Sequence, residues 1–131
     1  SLKELIDNKI ELLEKLYPRV SFEKLQDDLT IKSNKNAVDR IIDNLLTNAC
    51  KYNKKNGKVI ISIEENSLII EDTGVGIKDT NKVFQRYYKE NENGLGIGMS
   101  IVRKLCDILE IQIDIRSEVQ VGTKVSLTFP K

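Results

Sequence analysis

Asn44 and Asn48 lie four residues apart, Tyr52 lies four further on, and Lys51 stands seven from Asn44. On a helix these side chains share one face. Amide oxygens are hard, neutral ligands, and Mg²⁺ takes oxygen ligands, keeps several waters and is usually shared with substrate phosphates. A neutral amide can hold the metal without repelling a polyphosphate. Lys51 can offer phosphate a point charge, and Tyr52 can lay its ring beside a base. The same spacing also suits a solvated amphipathic face, because Asn is a mediocre helix former wherever it points.

Two glycine-rich segments could complete such a site. Asp72-Thr73-Gly74-Val75-Gly76-Ile77 follows the apolar run Leu68-Ile69-Ile70-Glu71. A strand that ends in Asp and runs into alternating glycines brings backbone close to a ligand. The Asp72 carboxylate can accept from an exocyclic amine such as that of adenine; a plain strand-exit turn is the alternative. Gly94-Leu95-Gly96-Ile97-Gly98-Met99-Ser100 leads into a helix, where backbone N–H groups favour phosphate. It is not a Walker loop, since no Gly-Lys-Ser/Thr follows. Nor is it the Rossmann fingerprint, which wants Gly or Ala at Met99 and a strand just before. A flexible linker entering a helix would also carry these glycines. Between them, Val83-Phe84-Gln85-Arg86-Tyr87-Tyr88-Lys89 mixes aromatics with cations. It reads either as an anchored loop whose Arg86 and Lys89 reach a ligand, or as a small satellite core.

The elements that must position these residues follow from periodicity. Leu2, Leu5, Ile6, Ile10, Leu13 and Leu16 mark a helix over 2–16 that Pro18 ends. Val20 and Phe22 alternate with polar neighbours and predict a strand within 19–25, and Leu29 and Ile31 suggest a second short one. Ser33 or Asn34 can cap a helix over 36–52. Residues 58–64 and 68–71 read as a hairpin. Residues 72–98 form a long Gly-, Asn-, Lys- and Glu-rich stretch, which in a small domain demands a functional reason. A helix over 98–109 and two closing strands around Ile111–Ile115 and Val125–Phe129 complete the chain, with a turn near Gln120–Thr123. The layout predicts one α+β domain over 1–131: two layers, a mixed, mostly antiparallel sheet of about five strands, and about three helices on one face.

Composition narrows the classes. With 131 residues and 40% apolar content, a single core is feasible. The 21 basic and 20 acidic residues leave a net charge of +1, which argues against a broad basic face for nucleic acid. There is no histidine, so histidine-based triads, metal sites and acid–base work are excluded within this chain. Cys50 and Cys106 fall in apolar helical patterns and read as buried, reduced thiols. No apolar run approaches the ~20 residues of a membrane span, and Ser1-Leu2-Lys3-Glu4-Leu5 lacks the pattern of a signal peptide.

In this order the segments resemble the catalytic ATP-binding domain of sensor histidine kinases, within the superfamily shared with gyrase, mismatch-repair ATPases and related chaperones. Asp43 to Tyr52 looks like the asparagine box, Asp72 to Ile77 like the first glycine box, and Phe84 to Lys89 like the phenylalanine box. Gly94 to Val102 looks like the second glycine box, and Val121-Gly122-Thr123 like the small motif before the last strand. The resemblance implies that Asn48 ligands Mg²⁺ with Asn44 beside it, that Lys51 faces phosphate and Tyr52 the adenine. It implies that Asp72 takes the adenine amine with Thr123 helping through water, while Gly74, Gly76 and Ile77 shape the base pocket. Arg86 and Lys89 would reach phosphate from a lid, and Gly94, Leu95, Gly96, Ile97 and Gly98 would hinge and cradle the triphosphate.

Two departures from the family pattern stand out: Leu95 replaces the usual Thr, and only Glu90 to Asn93 separate the last two boxes. The ATPase branches place a Glu where Asn44 stands, and an amide cannot serve as a base. Phosphoryl transfer is therefore favoured over hydrolysis, and transfer rests on positioning and charge stabilisation. The resemblance implies ATP and Mg as cofactors, and as partners the histidine-bearing dimerisation domain of the same kinase and a response regulator. It also implies a monomeric module in the cytoplasmic part of a protein that can be membrane-anchored. An anti-sigma-factor-type serine kinase and a nucleotide-binding regulatory module remain as alternatives.

Overall fold

The computed structural model describes residues 1–77 and 98–130. Helix α1 spans Leu2–Leu16 and buries Leu2, Ile6, Ile10 and Leu13, the stripe expected of an amphipathic helix. Strand β1 is Ser21–Glu23, helix α2 is Lys35–Lys51, and strands β2 and β3 are Lys58–Glu64 and Ser67–Asp72. Helix α3, Gly98–Leu109, precedes β4, Gln112–Glu118, and β5, Gly122–Thr128.

The strands form one sheet in the order β1-β2-β3-β5-β4. β1 runs parallel to β2 and the other pairs are antiparallel. Val59, Ile61, Leu68, Ile70, Val125 and Leu127 point from the sheet into one core with the buried stripes of α1 and α2 and with Val102 and Cys106 of α3. All three helices thus cover the same face, which is the two-layer arrangement that the periodicities predict. Ile69 is also buried, at 5% exposure, yet stands outside that core. It sits on the opposite face between Ser62 and Ser126, where the central position in the sheet screens it.

The second short strand predicted around Leu29 and Ile31 does not form. The backbone there is committed to the start of α1. Leu2 N–H donates to the Leu29 carbonyl at 3.0 Å, and the Asp28 carboxylate accepts from Ser1 Oγ at 2.6 Å and from Lys3 N–H at 3.0 Å. A carboxylate on the exposed N–H groups of a helix start answers both their unpaired donors and the helix dipole. Leu29 and Ile31 still pack against the core, so their apolar character is used without a strand. Asn34 caps α2, its Oδ1 accepting from Ala37 N–H at 3.0 Å.

Candidate functional site

Alternation along β3 puts Asp72 on the same face as Leu68 and Ile70, towards the helices. In register it stands beside Thr123 of β5, which stands beside Ser117 of β4. Three polar residues therefore form a row across the sheet, at the level where β3 leaves it. The Asp72 carboxylate accepts from Gly74 N–H at 2.8 Å. Burial pushes its carboxyl up to about 6, against the opposing effect of the Gly74 and Thr123 backbone N–H groups and with help from the neighbouring Glu71 charge.

The turn after β3 is sewn to the end of α2. Val75 N–H donates to the Tyr52 carbonyl at 3.1 Å and Thr73 N–H to the Lys58 carbonyl at 3.2 Å. Asn53 Oδ1 accepts from Thr73 Oγ1 at 3.2 Å, and Asn53 Nδ2 donates to the Lys58 carbonyl at 2.9 Å. A Cβ on Gly74 would lie 2.5 Å from the Tyr52 carbonyl oxygen and 2.8 Å from Asp72 Oδ1, so only glycine allows this approach. Gly76 has φ +77° and a Cβ there would strike the Glu118 carbonyl. It is thus required by backbone conformation as well as by space. Ile77 N–H donates to Ser117 Oγ at 2.7 Å. The first glycine segment is consequently held between α2 and the β4–β5 turn, with Asp72 at its root.

The polar face of α2 lies beside this turn. Asn44, Asn48, Lys51 and Tyr52 are all half-buried. The Lys51 ammonium lies 5.8 Å from the centroid of the Tyr52 ring, within cation–π range. Neither the Asn44 nor the Asn48 amide takes a hydrogen-bond partner among the described residues. Half-buried amides with spare acceptor capacity fit a hard cation shared with phosphate, so these residues suit the metal that the sequence implies. The start of α3 closes the far end: a Cβ on Gly98 would lie 3.5 Å from Asn44 Oδ1. From Asn44 to Tyr52 the helix rises about 12 Å. One end abuts the N-terminus of α3 and the other the Asp72 turn.

Asn44, Asn48, Lys51, Tyr52, Asp72, Gly74, Gly76, Ile77, Gly98 and Thr123 are thereby brought along one side of α2 and the adjoining sheet end. Arg86, Lys89, Gly94, Leu95, Gly96 and Ile97 lie outside the described residues, as do the aromatic segment and Glu90–Asn93. Two residues escaped the sequence reading. Ser117 shares the inward parity of Ile113 and Ile115, and a polar residue at an inward strand position was the available signal. Asn53 directly follows the helix and looks like any turn residue. Cys50 lies under the site, its thiol pushed up to about 12 by burial and by the Asp72 carboxylate. It and Cys106 are both free and buried.

Residues 33–131 match the family described as histidine kinase-, DNA gyrase B-, and HSP90-like ATPase. The sensor histidine kinase AtsR of Burkholderia thailandensis is 30% identical in a match that covers 79% of this chain and 20% of that protein. The sensor protein SrrB of Staphylococcus aureus is 32% identical over 72% of this chain and 18% of its own length. The chain thus spans about a fifth of these curated relatives. Among solved structures, the mycobacterial sensor histidine kinase MprB superposes with a TM-score of 0.82 at 23% identity, covering 98% of this chain and 93% of that one. The catalytic domain of histidine kinase ThkA gives 0.81 at 24% identity, covering 99% and 92%. These two structures establish the shared fold.

Proposed function

The chain belongs to the family of histidine kinase-, DNA gyrase B- and HSP90-like ATPases, as an ATP-binding catalytic domain of the histidine-kinase type, and from that premise we propose how it works. It holds ATP·Mg²⁺ along α2 and donates the γ-phosphoryl group to a histidine on a separate dimerisation domain, for two-component signalling. The observation that carries this reading is the joining of three features on one helix: the Asp72 turn at Tyr52, two amides without hydrogen-bond partners among the described residues, and the start of α3 at Asn44.

In this reading Asp72 accepts from the adenine amine, with Thr123 assisting through water, while Gly74, Gly76 and Ile77 form the wall beside the base. Tyr52 lies against the base and Lys51 meets phosphate. Asn48, flanked by Asn44, supplies the protein ligand to Mg²⁺, which when bound neutralises charge on the phosphate oxygens. The N–H groups at the start of α3 favour the same anion. Arg86 and Lys89, with Gly94, Leu95, Gly96 and Ile97, would close over the triphosphate. Asn44 cannot take a proton from water, so bound ATP awaits an incoming nucleophile. This chain contains no histidine, so that nucleophile comes from the dimerisation domain, and a response regulator receives the phosphoryl group afterwards. Among the described residues no helix is long and apolar enough to cross a membrane; we place the domain in the cytoplasmic part of its kinase.

Incubating the chain with labelled ATP, Mg²⁺ and the dimerisation domain of the same kinase tests the proposal. Acid-labile label on a histidine is the expected result. Acid-stable label on serine would instead make it a serine kinase, and ATP binding without any transfer would make it a regulatory nucleotide-binding module.

A further inference from the structure

We propose that Ser117 is a positioning residue that leaves the Thr123 hydroxyl and the Asp72 carboxylate, at the base end of this pocket, with only hydrogen-bond acceptors to offer, and so selects a 6-aminopurine over a 6-oxopurine. The inference rests on the reading of Asp72 and Thr123 as the base contact.

Ser117 Oγ has three partners. Ile77 N–H donates to it at 2.7 Å, it donates to the Gly122 carbonyl at 3.0 Å, and Thr123 Oγ1 stands 2.8 Å away. A serine hydroxyl has one proton and two lone pairs. An amide N–H can only donate, so Ile77 takes one lone pair. A carbonyl can only accept, so Gly122 takes the proton. The contact to Thr123 is then made by the threonine proton, delivered into the remaining lone pair of Ser117.

The consequence lies one strand away. With its proton directed at Ser117, Thr123 Oγ1 has only lone pairs left to offer a ligand or a bridging water. Its neighbour in the row is Asp72, which when ionised also only accepts. The exocyclic amine of adenine supplies two protons and finds acceptors. The carbonyl of a 6-oxopurine brings lone pairs to the same place and finds no donor on either side chain. Sites that leave a polar group unpaired discriminate strongly, because desolvation of that group goes uncompensated. Gly122 is part of the same device. Its φ is +148° and a Cβ there would strike the Asp72 carbonyl, so β5 can approach β3 closely enough to bring Thr123 beside Asp72.

The test compares dissociation constants for ATP and inosine triphosphate, both with Mg²⁺, by calorimetry. The chain as it stands should prefer ATP by on the order of a hundredfold or more. In Ser117→Ala the Thr123 hydroxyl can turn and donate, so ATP binding should weaken and the ATP-to-ITP ratio should shrink by about tenfold. Ser117→Thr, which restores a hydroxyl, should keep the ratio. Thr123→Val removes the group that Ser117 aims and should shrink the ratio as well, which keeps the idea testable if Ser117→Ala does not fold. A ratio unchanged in both Ser117→Ala and Thr123→Val, with the two affinities falling together, would overturn the inference and leave the nucleotide site intact. Equal binding of ATP and ITP by the unaltered chain would overturn both the inference and the adenine reading of the pocket.

Discussion

Asp72 Oδ1 accepts the backbone N–H of Gly74 at 2.8 Å, so the carboxylate that ends β3 is braced by the turn it introduces. Two consequences arise from this one bond. The charge is held in place before any ligand arrives, and it is held where burial disfavours it.

The first prediction concerns pH. Burial pushes the Asp72 carboxyl up to about 6, above its value in an unfolded chain, so the group favours the folded state in its protonated form. That contribution is complete below the unfolded value of about 4 and is lost as pH rises through about 6. In the proposed site nucleotide binding runs the other way, because there the ionised form would accept from the base. ATP affinity, measured by calorimetry between pH 5 and 8, should rise through about pH 6 relative to Asp72→Asn; the comparison cancels the titration of the phosphates, which both proteins share. Parallel profiles for the two proteins would remove the charged carboxylate from the base contact.

Gly74 and Gly98 should separate under the same change. A Cβ at Gly74 would lie 2.5 Å from a backbone oxygen, whereas at Gly98 it would meet Asn44 Oδ1 at 3.5 Å, an ordinary contact. Gly74→Ala should cost about 1–3 kcal/mol in chemical denaturation, the usual range for overpacking, and should weaken ATP binding by displacing Asp72. Gly98→Ala should leave the apo chain unchanged or up to about 1 kcal/mol more stable, since alanine narrows the unfolded ensemble. Equal losses at both positions would contradict the packing around Gly74.

Asn48→Ala should leave the melting temperature of the apo chain nearly unchanged, because the amide has no hydrogen-bond partner among the described residues. Its ATP affinity in Mg²⁺ should fall by about tenfold or more, at least 1.4 kcal/mol. In EDTA the variant and the unaltered chain should bind ATP alike. A loss of similar size in EDTA would show that the amide touches nucleotide rather than metal.

Both cysteines should resist alkylation in the native chain. Burial, with the nearby Asp72 charge, pushes Cys50 up to about 12, and burial pushes Cys106 up to about 11. The thiolate is the reacting form. Mass spectrometry after iodoacetamide treatment at neutral pH should find neither residue modified in the folded protein and both modified in denaturant. Fast native labelling of Cys50 alone would mean that the floor of the site opens.

Much of the site could be read from the sequence because its parts are local. Asn44, Asn48 and Tyr52 share a face through helical period alone. Asp72 and Gly74 are two residues apart in any fold, and Gly98 precedes an apolar helical stripe whatever that stripe packs against. Ser117 was different. Its inward parity could be counted, but its partners could not, because Ile77 is 40 residues away in the chain.

What the sequence determined by itself was therefore most of the elements, the face each turns inward and a set of candidate site residues, since these depend on periodicity and side-chain chemistry. Tertiary structure alone decided which ends meet. The order β3-β5-β4 aligns Asp72, Thr123 and Ser117 in one row, and helix packing brings Gly98 against Asn44. It also left the segment around Leu29 and Ile31, predicted as a strand, without one, and used Asp28 and the Leu29 carbonyl to brace α1. The physical reason is that a period of two assigns a face but not a neighbour, and neighbours are chosen by register and by where unpaired backbone groups find partners.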